Sequence, residues 1–403
     1  MKRFVQLLMG LIWIGSWGFS GDVASIKNGL RPSGKAMTMV FTEDLVIGPE
    51  TDDENMIWPA LDTSLDVDTR GHIFVCDTAE NRVIEFDKDG KFVRLVGKKG
   101  AGPGEYQGLK TFQILQDGTA IAFENLQVVS IMNHYDKEMA FVDKTNHQSM
   151  ELIPTSAVFS PDGNLIYSVV ASVDMEARTT TVKFAVLDKD LNMKKDLLNF
   201  QSPLFDPSRV SDSDYWAEYL SNNMKKTSKG LIGFAAFGQD GLVYTATAQK
   251  YEVHKLNAQL EPVLSIEKEY EPIPMTAEEI KAVVDPIEEM VKGRLPPQLQ
   301  SVITSQTIKK AVELAEFPAI KNPIGGLKLT DEGVLLVIHD ANMSTDKALV
   351  DMFSPEGNYI GSFKFNLFGT MRMVFKKGYA YTIEERDDEN HLVRYKYEIK
   401  PAA

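Results

Sequence analysis

The sequence predicts an all-β chain, a six-bladed β-propeller with a helical insertion between blades four and five. Three observations predict it. From Leu65 to Tyr106 the chain spells out one small antiparallel sheet: an apolar strand, an Asp/Gly turn, a second apolar strand, a polar loop, a third strand and a Gly-rich link. Six such strands break at a turn ending in glycine, namely Asp68–Gly71, Gln116–Gly118, Pro161–Gly163, Gln239–Gly241, Asp331–Gly333 and Lys376–Gly378. Gly71, Gly118 and Gly163 fall about 45 residues apart, as do Gly333 and Gly378, which suits a four-stranded blade with its loops.

The first residues read as an export signal. Lys2 and Arg3 precede the mostly apolar run Phe4–Phe19, and Gly18 and Ser20 suit cleavage near Ser20 or Gly21, so 1–21 is the expected signal peptide and the periplasm or exterior the destination. The run is shorter than the roughly 20 residues that span a bilayer; an uncleaved anchor is the alternative. No cysteine follows it to carry a lipid, and no later stretch resembles a membrane span.

Next comes Met39–Ile47, an apolar run without a neighbouring partner. The last blade has strands near 371–375, 379–384 and 392–399 and lacks a fourth, so Met39–Ile47 is expected to become its outer strand, closing the ring and hiding an edge. The propeller is then expected to span 38–400. Two long gaps between turns require insertions, at 201–229 and 270–318. The first is a polar loop rich in Ser, Asp, Asn and aromatics. The second is helical: Thr276 with Glu279 forms a capping box, Ile280, Val283, Val284, Ile287 and Val291 recur at helical spacing, Pro286 should kink or break the helix, and a further helix is expected over about 299–314.

With 43 Lys and Arg against 57 Asp and Glu, the formal charge is −14, which disfavours nucleic acid as a partner because phosphate binding needs a basic footprint. Cys76 is the only cysteine, so no intramolecular disulfide can form, and its apolar strand marks it as a buried hydrophobe.

Ile73–Tyr106 reads I-F-V-C-D-x-x-x-N-R-V-I-x-F, then Asp89-Gly90 and G-x-x-G-x-G-x-G-E-Y. It resembles the NHL repeat of six-bladed propellers, a group related in shape to TolB-like propellers. The resemblance implies that Asp77, Asn81 and Arg82 shape the loop between the second and third strands and that Phe86 packs between blades. Such propellers include protein-binding modules, RNA binders, lactonases and an amidating lyase, so function has to be argued from sites.

Strands that run up and down place the Asp/Gly turns on one face. Loops between second and third strands, and the links between blades with both insertions, fall on the opposite face, where recognition is expected. Chemical motifs are sparse. The Gly-rich link Gly97–Gly104 joins strand to strand rather than opening a helix, so it is a turn and not a phosphate loop; Asp66, Asp68 and Gly71 lack the later ligands of a calcium loop. His72, His134, His147, His254, His339 and His391 show no metal-ligand spacing, and no G-x-S-x-G elbow is present. No catalytic residue, metal ligand set or cofactor is therefore predicted. The binding candidates are Trp58 and Arg372 at the channel ends of inner strands, Arg82, the aromatic trio Tyr215, Trp216 and Tyr219 as plug or exposed patch, and His339-Asp340 at a strand end. The expected function is an exported non-catalytic propeller that binds a protein, peptide or glycan. The alternative is a metal-dependent enzyme of lactonase or lyase type; an envelope assembly component differs from the first only in partner.

Overall fold

The computed structural model describes residues 23–48, 64–149, 151–293, 295–387 and 389–402; the expected signal peptide and Trp58 lie outside them. The described chain begins with β1 (Ala24–Asn28) and β2 (Met37–Ile47). The first sheet holds β3 (Ser64–Val67), β4 (Ile73–Asp77), β5 (Arg82–Phe86) and β6 (Phe92–Lys99), with the short β7 (Glu105–Tyr106) beside β6. The second holds β8 (Leu109–Ile114), β9 (Ala120–Leu126), β10 (Val129–Tyr135) and β11 (Phe141–Gln148). In the third, the inner strand is split into β12 (Ile153–Pro154) and β13 (Val158–Phe159), followed by β14 (Leu165–Asp174), β15 (Thr179–Asp188) and β16 (Met193–Pro203). Helix α1 (Ser213–Ser228) leads into the fourth sheet, β17 (Gly233–Phe237), β18 (Val243–Thr247), β19 (Glu252–Leu256) and β20 (Pro262–Lys268). Helices α2 (Ala277–Gly293), α3 (Pro297–Gln300) and α4 (Ser305–Ala315) precede the fifth, β21 (Gly326–Leu329), β22 (Leu335–Asn342), β23 (Lys347–Phe353) and β24 (Tyr359–Asn366). After α5 (Leu367–Arg372) come β25 (Val374–Lys376), β26 (Tyr379–Arg386) and β27 (Glu389–Pro401) of the sixth.

The middle strands explain the ring. Runs such as IFVC in β4 and LLVI in β22 are apolar at every position because both faces of each sheet are covered. Ile73 and Val75 pack with Tyr381, Ile383 and Leu392 of the sixth sheet, while the alternate Phe74 and Cys76 pack with Leu109, Phe112 and Ile114 of the second. Likewise Leu335 and Val337 join the core shared with the fourth sheet, and Leu336 and Ile338 the core shared with the sixth. Further cores lie between the second and third sheets and between the third and fourth, so six inter-sheet cores close a six-bladed circle.

The six glycines counted in the sequence all take positive φ, between 72° and 89°, at the turns joining first and second strands. A second repeating turn, read in the sequence only at Asp89-Gly90, joins third to fourth strands. In it an Asp, Asn or Ser opens a four-residue loop whose fourth position is left-handed: Gly90, Met139, Leu191, Leu260 and Gly357.

Closure follows the expected route. β2 pairs antiparallel with β27, Met39 facing Ile399 and Ile47 facing Leu392. β1 was not foreseen: it pairs parallel with β20 and adds a fifth strand to the fourth sheet, so the propeller's strands begin at 24 and not 38. At its first residue β2 also touches β24, Met37 opposite Gly361. Gly361 has φ +146°, and a Cβ there would collide with the Met37 backbone, so glycine is what permits the approach. Residues 24–47 thus strap the outer edges of three consecutive sheets.

Both insertions are helical. The stretch 201–229, expected as a polar loop, extends β16 and then forms α1, started by Asp212, whose carboxylate accepts the amides of Asp214 (2.9 Å) and Tyr215 (3.2 Å). In the second, the Thr276/Glu279 capping box is present and α2 runs on through Pro286 instead of breaking there. The expected second helix is split into α3 and α4, with Thr304 capping α4.

Candidate functional site

The links and the loops between second and third strands share one face, and the two insertions meet there. α1 packs on α4 through Ala217, Leu220, Ala311 and Ala315, with Val291 of α2 and Ile303 completing one apolar core; Lys310 pairs with Asp214 at 2.9 Å across it. Small residues at the α1–α4 contact let the backbones approach closely. The result is one helical cap built from two insertions. It is anchored to the ring where Lys321 pairs with Asp340 at 2.6 Å and also with Glu279, the cap residue of α2.

The aromatic trio belongs to the interior of this cap. Tyr215 and Trp216 are buried and Tyr219 half-buried, stacked around Phe205 with ring centroids 5.6–6.0 Å away. The Tyr215 hydroxyl accepts the Asp206 amide at 2.6 Å, and Trp216 donates Nε1–H to the Val210 carbonyl at 2.9 Å. The trio is thus neither an exposed patch nor a plug packed on the ring: it packs inside the cap with residues of α1, α2 and α4.

Arg82 donates to Asp77 at 3.0 Å, and Asp77 is fully buried. Asn81, left-handed at φ 52°, accepts the Leu109 amide at 2.9 Å and so joins the first sheet to the second. Phe86 is buried between the first and sixth sheets. This is the local geometry that the resemblance implied. Cys76 is fully buried and burial pushes its thiol up to about 12, which keeps it unreactive.

His339 is buried rather than solvated. Its Nδ1 lies 2.9 Å from the Pro323 carbonyl and its ring sits against Tyr251 and Tyr270. Nearby, Tyr251 donates its hydroxyl to Asp351, which also pairs with Lys268 at 3.3 Å, a buried ion pair between the fourth and fifth sheets. Asp340 is engaged by Lys321, so the His339-Asp340 dipeptide serves two separate contacts. Among the described residues no three His, Cys, Asp or Glu side chains stand close enough to hold a metal ion.

Arg372 ends α5 and lines the central channel, a cavity of about 480 Å³ walled by β3, β8, β13, β17, β21 and β25. Two charged residues of that wall, Lys328 and Lys376, were missed. A lysine inside an apolar inner strand, as in GLKL of β21, was the available signal.

Exposed apolar side chains were also missed. Met175 tips the β14–β15 loop, Met343 the β22–β23 loop, Phe368 and Met371 stand on α5, where Met371 also lines the channel, and Leu314 and Ile320 belong to the cap and its return, all on the insertion face. The turns of the other face carry no exposed large apolar residue among the described residues; the remainder lie on outer strands, in the channel wall, near the loop end of β14 (Val173) or, like Leu30, between β1 and β2. α5 is held firmly: Asn366 caps it by accepting the Gly369 amide at 2.6 Å, and Asp346 accepts the Phe368 amide at 2.9 Å.

Six sheets, six shared cores and a wall of six inner strands define a six-bladed β-propeller. Residues 45–226 match the model of a family, DUF5128, described as a 6-bladed beta-propeller. No curated protein matches the chain. Among solved structures it is similar to a Bacteroides fragilis NCTC 9343 protein described as exported (13% identity, TM-score 0.49, covering 94% of this chain and 100% of that one). It is also similar to a DUF4221 member from Bacteroides vulgatus ATCC 8482 (10%, 0.49, covering 90% and 99%). A third is virginiamycin B lyase from Staphylococcus aureus (9%, 0.34, covering 91% and 89%). At these levels none of the three bears on activity.

Proposed function

We propose that the chain is an exported, non-catalytic propeller that binds a protein or peptide on its insertion face. The observation that carries this reading is the one-sided placement of exposed apolar side chains on a rigid scaffold. Burying such groups drives association, and methionine adapts to irregular partner surfaces. Phe368 and Met371, three apart on α5, share one side of that helix. A glycan would call for exposed hydrogen-bonding groups beside an aromatic ring, and the exposed set is mostly Met, Leu and Ile.

Site-specific photo-crosslinking in native cells tests the reading. A crosslinker at Met343, Phe368 or Met371 is expected to trap a protein adduct, whereas one at Lys189, on a turn of the opposite face, traps none, and Phe368→Asp with Met371→Asp abolishes the Met343 adduct. Equal adducts from Lys189, or none from the first three positions, overturn it.

A further inference from the structure

The channel carries a chemistry unlike that of the insertion face. Among the described residues lining its cavity of about 480 Å³, three are cationic, Lys328, Lys376 and Arg372, against a single carboxylate, Asp66. On a chain with net charge −14 this is a local reversal of sign. The volume lies in the range of small-molecule pockets.

Asp66 makes no salt bridge with either lysine, although the Lys376 charge partly offsets the burial that pushes the Asp66 carboxyl above its usual range. Its Oδ1 accepts the Val67 amide and its Oδ2 the Ile114 amide, both at 2.8 Å, so the carboxylate ties the first inner strand to the second. Gln113 repeats the tie one sheet further, donating to the Phe159 carbonyl at 2.7 Å and accepting the Phe159 amide at 2.9 Å. Asp66 and Gln113 are thus committed to holding sheets together. The two lysines are not: neither Lys328 nor Lys376 makes a side-chain hydrogen bond or salt bridge to a described residue. Lys328, between Leu327, packed in an inter-sheet core, and Leu329, is half-buried against the channel, and desolvation pulls its ammonium down to about 8. A desolvated cation without a partner is costly, and a fold that keeps one has a use for it. Both lysines sit at the ends of β21 and β25 that lead into the Asp/Gly turns, so they belong to the channel mouth opposite the cap.

We propose that this end of the channel binds a small doubly charged oxyanion, of the phosphate or dicarboxylate class, whose charge is met by the Lys328 and Lys376 ammoniums. The two lysines lie at the end of the channel away from α5 and the insertion face. Inorganic phosphate and succinate separate the two sources of such charge.

Calorimetric titration of the full chain with each probe at low salt is expected to show binding of at least one. Lys328→Met and Lys376→Met should each weaken it tenfold or more, Lys328→Arg should retain it, and Lys189→Met and Phe368→Asp should leave it unchanged. A second measurement does not depend on variants folding well: after reductive ¹³C-methylation, the Lys328 signal should titrate near 8 and move up by about one unit at saturating probe. Absence of binding by both probes, or binding that neither methionine variant weakens and that leaves the Lys328 midpoint in place, overturns the proposal.

Discussion

The side-chain oxygen of Asn28 accepts the backbone N–H of Tyr359 at 2.7 Å, joining residues 331 positions apart. The same amide donates to the carbonyls of Glu267 and Gly357, each at 3.1 Å, so one side chain sews the fourth sheet to the fifth at the end of β1. Replacing it leaves an amide and two carbonyls without their partner in a part-buried place. Asn28→Ala should lower stability by about 1–3 kcal/mol in urea unfolding, whereas Ser25→Ala, which removes only an exposed bond to Glu267, should cost under about 0.5 kcal/mol. Equal effects would show that the strap does not hold these sheets together.

Leu191 and Leu260 combine two features that normally exclude each other, left-handed backbone and buried side chain. Their φ angles are 61° and 62°, and they fill cores on the side of the preceding sheet. The equivalent turns use glycine at Gly90 and Gly357. Leu191→Ala should cost about 2–4 kcal/mol from the cavity. Leu191→Gly removes the same packing yet relieves the strain of positive φ, about 1 kcal/mol, so glycine should equal or exceed alanine here, reversing the usual order. Thermal and urea unfolding of the two variants decide it; alanine the more stable by a kcal/mol would refute the strain.

These turns also show why the architecture was readable and the site was not. A glycine in a hairpin announces positive φ, so the six turns between first and second strands could be counted. Met139, Leu191 and Leu260 adopt the same conformation with no glycine to betray it, and the second set of turns stayed hidden. Met39–Ile47 was assignable to the sixth sheet because β25–β27 lacked a partner, while β1 is a short strand, ASIKN, added to a sheet already complete. The Tyr215/Trp216/Tyr219 trio could be read as either plug or patch because its burying partner, α4, arrives about 90 residues later. Lys328 and Met371 carry no motif; what marks them is the shape of the ring around them.

The turns between third and fourth strands make a prediction in acid. Asp87 Oδ1 accepts the amides of Asp89 and Lys91, both at 2.9 Å, and the Lys91 amide is the main cause holding its carboxyl below the usual range. Asp188 accepts Asp190 and Asn192 likewise, and although desolvation opposes it, those bonds lower its carboxyl too. A depressed carboxyl contributes stability that is complete above its unfolded value near 3.8 and is lost as pH falls through and below it. Asn257 performs the same double acceptance in the fourth sheet without titrating. Asp87→Asn with Asp188→Asn should therefore keep the turns and give a shallower loss of stability below pH 4. An acid limb as steep as that of the unsubstituted chain would show that these bonds do not set it.

Lys328 makes the opposite prediction in base. Desolvation lowers its ammonium from 10.5 to about 8, so the folded state resists holding that proton while the unfolded chain binds it readily. Between pH 8 and 10.5 the unfolded state carries the extra proton, and stability contributed by this group rises with pH; below 8 the cost of the charge is present in full. One unit is worth about 1.4 kcal/mol, so the cost reaches at most about 3 kcal/mol, less where channel water screens the charge. Lys328→Met should therefore be more stable than the unsubstituted chain at pH 7 by about 1–3 kcal/mol, with the gap closing toward pH 10.5. The same variant loses the channel anion, so saturating phosphate or succinate should narrow the gap at pH 7 by stabilising only the unsubstituted chain. A variant less stable at pH 7, or a gap that does not change with pH, would mean that the ammonium already has its charge satisfied within the fold.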